Sequence, residues 1–206
     1  MVAVLTAGAG SAQAFNTTIC TVSNLPLLTC STPRPSGTVF KATASGTNAV
    51  QTSSGESLSC TGSTIEFETT ATVGSPTLPA EVKSWPVSGC TDVARGISCG
   101  TVFFGPVPPY NMSIQSTGSD HGALKVTRSG NILFKYSCGP VGSTIVCVFE
   151  TPVIELQTSS LTPAVASMSA SMTLDAGSPT CGSVSKLVGS FTFTYPSPYN
   201  FFVEHD

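Results

Sequence analysis

The residues best suited to acid–base chemistry are a histidine and its neighbouring aspartate. His121 follows Asp120 in the segment Ser119-Asp120-His121-Gly122, which lies between two predicted strands. A serine, a histidine and an aspartate together catalyse acyl transfer when the histidine activates the serine. However, Asp and His beside Gly are also ordinary constituents of a turn between strands. We interpret this segment as a hairpin turn and predict no catalytic residue in it.

A second arrangement with catalytic chemistry is a pair of glutamates. Glu66 and Glu68 lie two positions apart, so on a strand both carboxylates point to one face. Such a pair can act as acid and base, but it also suits a solvated strand face with Lys or Arg opposite. We adopt the second interpretation. With two His and no Cys-x-x-Cys segment, the sequence predicts no metal site, no cofactor and no enzymatic activity.

Two segments, 103–110 and 195–202, place aromatic side chains beside prolines. Prolines stiffen the chain, which lowers the entropy that it loses on binding a partner. One interpretation is therefore a contact patch for a cell-surface glycan or a protein. The other is that these side chains fill one end of the fold, because the chain is otherwise poor in large side chains. The candidate binding residues are Phe104, Tyr110, Tyr195, Tyr199 and Phe201.

The cysteines indicate an oxidising compartment. There are eight, an even number, and none has metal-ligand spacing. Four disulfides therefore suit a domain that folds outside the reducing cytosol. Cysteines that are close together in the sequence favour disulfides within hairpins. The two cysteines that remain would then join an early strand to a late one. The predicted pairs are Cys20–Cys30, Cys60–Cys181, Cys90–Cys99 and Cys138–Cys147, and the alternative scheme contains Cys60–Cys90 and Cys99–Cys181.

The N-terminal residues 1–14 are predicted to be a signal peptide. They are weakly apolar and end in Ala12-Gln13-Ala14, which has the small-x-small form of a cleavage site. No Lys or Arg precedes the apolar stretch, and we therefore expect the leader to be truncated at its start. The alternative is a frayed Ala/Gly-rich terminus of a cytosolic chain. We expect the mature protein to begin at Phe15.

Apolar and polar residues alternate with period two along several short runs, which predicts strands with one buried face. The clearest runs are 164–174 and 191–195, and 144–150 is apolar on both faces. No segment has a helical period of useful length. The sequence therefore predicts a single all-β domain over 15–206, an antiparallel sandwich or barrel-like fold of about ten strands. Residues 15–36 form an extended lead-in, and Trp85 is assigned to the core.

The composition excludes several classes of function. Only 9% of the residues are charged and eight are Lys or Arg, which is too few for a nucleic-acid surface. No run of 18 apolar residues is present, so no helix in the sequence is expected to span a membrane. Ser and Thr together number 58, so strand faces rich in hydroxyl groups are expected.

The chain resembles a group of uncharacterised secreted, cysteine-containing β-rich proteins of actinobacteria. The resemblance covers most of the predicted mature chain, and cysteine spacing and both ends carry it. It implies secretion, disulfides and a β fold, and it supplies no activity and no catalytic residue. The matching segments are Thr17-Thr18-Ile19-Cys20, Ser59-Cys60-Thr61, Ser88-Gly89-Cys90, the Cys138 and Cys147 pair, Cys181 and Tyr195 to Val203.

Together these observations predict a secreted protein that is extracellular or associated with the cell surface. The first functional hypothesis is a non-enzymatic β domain with a structural or surface-adhesion role. The alternative is a secreted glycan- or protein-binding or inhibitory module that uses the segments of proline and aromatic residues.

Overall fold

The protein is described by a computed structural model over residues 16–21, 30, 32–52, 55–105, 108–118, 121–139, 144–159, 164–196 and 202–205. The predicted signal peptide over 1–14 lies outside these residues, as do Asp120, Tyr199 and Phe201. The described residues form sixteen β-strands and one short 3-10 helix, Pro179–Cys181.

Short alternating runs separated by Gly, Pro, Ser and Asn produce the strands. The first eight are β1 (Thr17–Cys20), β2 (Val39–Ala44), β3 (Asn48–Thr52), β4 (Gly55–Thr69), β5 (Val73–Gly74), β6 (Leu78–Ser84), β7 (Val87–Asp92) and β8 (Ile97–Gly105). The next eight are β9 (Tyr110–Gly118), β10 (His121–Thr127), β11 (Ile132–Cys138), β12 (Ile145–Thr151), β13 (Ile154–Thr158), β14 (Val165–Gly177), β15 (Val184–Tyr195) and β16 (Phe202–His205).

Thirteen of these strands form one antiparallel sheet that closes on itself. β2 and β3 together make one long bent strand, as do β6 and β7, β8 and β9, β10 and β11, and β12 and β13. With β4, β14 and β15 they give eight long strands, each paired with the next along the chain. β15 pairs with β2 and β3, which closes the ring. The all-β prediction is confirmed, and the closure makes the fold barrel-like.

The interior of the ring is filled by alternating side chains. On β14, Met168 and Met172 point inward and are buried, whereas Ser169 and Ser171 point outward and are exposed. Aromatic rings pack among the aliphatic side chains that the other strands direct inward. Examples are the stacked pair of Phe40 and Phe67, with ring centroids 5.2 Å apart, and Trp85 against Phe104 at 4.4 Å. Trp85 is buried in the core as predicted.

A small second sheet of β16, β1 and β5 packs against the β9–β10 hairpin. Val203 of β16 is fully buried, and its Cγ2 lies 2.6 Å from where a Cβ at Gly122 would be. Thr17 of β1 donates its hydroxyl to the carbonyl of Pro76 at 2.6 Å and accepts from the Ser116 N–H at 3.2 Å. Part of the predicted lead-in is therefore a strand that the main ring holds.

All eight cysteines form four disulfides. The predicted Cys20–Cys30 pair is confirmed. The other three predicted pairs, Cys60–Cys181, Cys90–Cys99 and Cys138–Cys147, are wrong. From the alternative scheme Cys60–Cys90 is confirmed and Cys99–Cys181 is wrong. The observed pairs are Cys20–Cys30, Cys60–Cys90, Cys99–Cys138 and Cys147–Cys181.

Strand register explains the errors. Cys60 opposes Cys90 across β4 and β7, and Cys99 opposes Cys138 across β8 and β11, so each pair is bonded across its own ladder. Cys147 opposes Tyr136 rather than Cys138, because the β11–β12 register is shifted by two residues from the predicted hairpin. Cys147 therefore bonds to Cys181, which follows β14 on the other side of β12.

Candidate functional site

Two of the predicted binding residues belong to the core. Phe104 is 6% exposed, and its ring lies 4.4 Å from that of Trp85 and 5.1 Å from that of Phe134. Tyr110 is 1% exposed, and its burial raises the pKa of its phenol above the ordinary value. Neither side chain can form part of an exposed contact patch, which corrects the prediction for both residues.

Tyr195 is the exposed member of the predicted set. It ends β15, and 54% of its surface is accessible. Tyr199 and Phe201 lie outside the described residues. Among the described residues, the proposed aromatic patch is therefore reduced to one tyrosine.

His121 begins β10 and is exposed. Its Nδ1 lies 3.1 Å from the carbonyl oxygen of Thr158. This contact joins the β9–β10 hairpin to the end of β13. Ser119 and Asp120 of the predicted turn lie outside the described residues, and His121 and Gly122 are the first two residues of β10.

One serine pattern was missing from the predicted candidates. Gly96-Ile97-Ser98-Cys99-Gly100 has the Gly-x-Ser-x-Gly form that marks a nucleophile in some hydrolases. That role requires a sharp turn from a strand into a helix, whereas Ser98 lies in β8 and pairs with Thr91 of β7. Cys99 is bonded to Cys138. The segment is therefore a disulfide-bonded hairpin strand rather than a nucleophile elbow.

The two glutamates belong to a ladder of paired charges on the outside of the ring. Lys41 Nζ lies 3.2 Å from Glu66 Oε2, and Lys83 Nζ lies 3.3 Å from Glu68 Oε2. Lys83 also bonds Glu81 at 2.5 Å, and this hydrogen bond raises the pKa of the Lys83 ammonium. Each glutamate thus faces a lysine, as the interpretation of a solvated strand face expected.

A second feature of the surface is a face of hydroxyl groups on β14, β15 and the end of β2, with Lys186 of β15 opposite Ser171 and Glu155 of β13 opposite Ser169. Alternation along these strands turns Ser and Thr outward while the core takes the apolar residues. We call this set of side chains the hydroxyl face. It consists of Thr43, Ser45, Ser167, Ser169, Ser171, Thr173, Ser190, Thr192 and Thr194.

Strand register brings these hydroxyl groups into rows. Ser167 opposes Ser190 across β14 and β15, and Thr192 opposes Thr43 across β15 and β2. The hydroxyl oxygens of Thr43 and Thr194 are 3.5 Å apart, and Thr194 also donates to the carbonyl of Lys41 at 3.3 Å. Neighbouring rows follow the strand spacing of about 4.8 Å, and successive outward residues of one strand are about 6.7 Å apart. The face can exchange hydrogen bonds with neutral polar groups over several strands.

Two other kinds of feature are absent from the part of the chain that the structure describes. No group of three or more His, Cys, Asp or Glu residues there could hold a metal ion. Within the same residues, no helix has the length and apolar character needed to cross a membrane. Comparison with protein families, with curated proteins and with solved structures finds no match to this chain.

Proposed function

We propose that this protein is a secreted, non-enzymatic extracellular domain with a structural or surface-adhesion role. The pairing of all eight cysteines in four disulfides is the observation that carries the proposal. Disulfides persist in oxidising compartments and are rare in the cytosol. The predicted signal peptide and the resemblance to secreted β-rich proteins support the same location.

Within this proposal, adhesion uses the hydroxyl face. Its side chains are neutral donors and acceptors, which match the hydroxyl groups of a neutral polysaccharide better than they match a charged polymer. The acid opposite Ser169 is Glu155, which is paired with Lys125 at 3.4 Å. One cation, Lys186, lies opposite Ser171. No histidine opposes a serine of the face among the described residues, and Glu155 is already ion-paired, which favours binding over catalysis.

The alternative, recognition by the segments of proline and aromatic residues, is less well supported. Phe104 and Tyr110 are core residues, and Tyr195 is the described member of the set with an exposed ring. A single exposed tyrosine is a small contact compared with a surface that spans three strands. We therefore place adhesion on the hydroxyl face.

The test measures retention of the oxidised protein on insoluble cell wall from the producing organism. We expect the wild type to be retained, and the double variant Ser169→Glu with Ser171→Glu to be retained at least tenfold less. The added carboxylates put charge on the face without touching the core, since both serines are exposed on β14. The matched control is Gln115→Glu with Thr117→Glu, at two exposed positions of β9.

Two outcomes contradict the proposal. One is a wild type that the cell wall does not retain, and the other is equal retention of the two double variants. Location is tested separately by N-terminal sequencing of material from the culture medium. We expect Phe15 as its first residue, and a protein found only inside the cell would remove the extracellular assignment.

A further inference from the structure

The wall of the ring is interrupted between β7 and β8. These strands pair only beside their hairpin, at Thr91 with Ser98 and Asp92 with Ile97. Pairing resumes where Val82 of β6 meets Tyr110 of β9. Between these two ladders one chain has eight residues, 83–90, and the other has eleven, 99–109. The described parts of these two chains, 83–90 and 99–105, are not paired with each other, which leaves a gap in the sheet.

The gap is a cleft of about 380 Å³. Each of the two strands that border the cleft is held by a paired strand on its other side. β7 is paired and disulfide-bonded to β4 through Cys90, and β8 is paired and disulfide-bonded to β11 through Cys99. These bonds hold the strands apart, so the cleft is a built feature of the fold. Its lining residues are Val87, Ser88, Gly89, Cys90, Cys99, Gly100 and Val102.

The chemistry of the cleft is that of two facing strand edges. A strand directs N–H and C=O groups to both sides, and here the ladders of β7 with β4 and of β8 with β11 use one side of each strand. The other sides, over 87–90 and 99–102, face the cleft. Gly100 presents no side chain there, and a Cβ at this position would have no heavy atom within 4 Å, so a second backbone can approach closely.

We propose that this cleft binds an extended peptide segment of another protein, which adds as a strand between β7 and β8. Main-chain hydrogen bonds to an exposed strand edge are a general mode of peptide recognition. The edge of β7 over residues 87–90 is about 13 Å long at 3.3 Å per residue, so it can pair with about four peptide residues. The inference does not depend on the hydroxyl face or on the location of the protein.

The lining also defines the kind of peptide. None of the described residues that line it is charged, and their polar groups are main-chain groups and the Ser88 hydroxyl. A charged residue of the peptide would lose hydration in the cleft without gaining a partner. The occupant is therefore an uncharged segment with β-branched or small side chains, which favour the extended conformation.

Gly100 gives the decisive variant. A Cβ at this position would have no heavy atom within 4 Å, and no positive φ restricts the residue, so Gly100→Leu adds a bulky side chain at the lining of the cleft without a clash. The matched control is Gly46→Leu, at the bend between β2 and β3, where a Cβ likewise has no atom within 4 Å. Thermal melting and circular dichroism compare the folding of both variants with that of the wild type.

The probe is a displayed library of random heptapeptides, selected on the oxidised wild-type protein. We expect uncharged, β-forming sequences to be enriched, with affinities that fall at least tenfold in Gly100→Leu and stay unchanged in Gly46→Leu. Selection that yields no binding peptide, or peptides that bind Gly100→Leu as well as wild type, would overturn the proposal.

If Gly100→Leu fails to fold, hydrogen exchange of the wild type still tests whether a peptide binds in the cleft. With a selected peptide bound, amides within 87–90 and 99–102 are expected to exchange more slowly. Protection confined to other strands contradicts the assignment of the cleft. A loss of adhesion in the variants of the hydroxyl face has no bearing on this result, so the two proposals fail separately.

Discussion

The side chain of Asn48 packs directly on Gly189 near the middle of the ring. Asn48 is 5% exposed, and a Cβ at Gly189 would overlap its Oδ1. Neither amide atom of Asn48 has a hydrogen-bond partner among the described residues. The amide lines a cavity of about 10 Å³, which is close to the volume that one water molecule needs. The glycine is therefore required by packing, and the asparagine contributes little hydrogen bonding to other protein groups.

We predict that Gly189→Ala lowers the free energy of unfolding by about 1–3 kcal/mol, the usual cost of overpacking. Adding Asn48→Ala should restore part of that loss, because it removes the overlapping atom. The four proteins of this double-mutant cycle are compared by urea unfolding. Gly46→Ala is the control, since its Cβ has open space. A cost for Gly189→Ala no larger than for the control would contradict the packing argument.

Tyr110 gives a prediction about alkaline pH. Burial favours its neutral phenol and raises its pKa above 10.0, the value expected in the unfolded chain. Because the folded protein favours the neutral phenol, this group leaves the free energy of unfolding unchanged below pH 10.0. The free energy of unfolding then falls as the pH rises through the folded-state pKa. We expect the urea concentration at the midpoint of unfolding to fall less at alkaline pH in Tyr110→Phe than in the wild type. The control is Tyr195→Phe, at an exposed position; if the two variants had the same pH dependence, the assignment would be wrong.

At the scale of elements, alternation in the sequence located strands but did not determine their partners. The predicted strand over 164–174 lies in β14, Val165–Gly177, and the run 191–195 lies in β15, Val184–Tyr195. A period of two is a local property of the sequence, so it can be recognised without knowledge of the fold. Register is not local. A shift of two residues between β11 and β12 leaves every side chain on its face, yet it moves Cys147 from Cys138 to Tyr136.

Prediction of the candidate site from the sequence met the same difficulty, because it too depends on the pairing of strands. Phe104 and Tyr110 stand at the ends of two strands that flank a proline-rich corner. From the sequence, aromatic residues beside prolines fit an exposed loop and a core corner equally well. Closure of the ring decides between them, because it turns both side chains inward. The hydroxyl face was predictable only strand by strand, since its rows depend on the pairing of β15 with β2.

The Cys60–Cys90 bridge joins β4 to β7 and closes a loop of 30 residues. In the chain-entropy treatment, a loop of this length contributes about 3–4 kcal/mol by restricting the unfolded chain. We therefore expect the double variant Cys60→Ala with Cys90→Ala to lose that amount in urea unfolding under non-reducing conditions. Cys147→Ala with Cys181→Ala, which opens a loop of 34 residues, should cost about the same. A cost below about 1 kcal/mol for either double variant would contradict the account.

At the scale of the whole molecule, three uninterrupted strands connect the two ends of the ring. β4 pairs with β2 and β6 along one part of its length and with β3 and β7 along the other. β14 and β15 pair with each other from Val165 opposite Thr192 to Thr173 opposite Val184. Neither end of the ring can lose its pairing without exposing the core that it shares with the other end.

This continuity predicts one cooperative thermal transition for the oxidised protein. Its calorimetric enthalpy should equal the van't Hoff enthalpy, at about 0.7 kcal/mol per ordered residue near 60 °C. Reduction of the four disulfides should move that transition to lower temperature without splitting it, because the bridges reinforce strands of one shared sheet. Differential scanning calorimetry with and without reductant makes both measurements. Two resolved transitions in the oxidised protein would mean that the halves of the ring unfold independently, and an unchanged midpoint after verified reduction would remove the stabilising role of the disulfides.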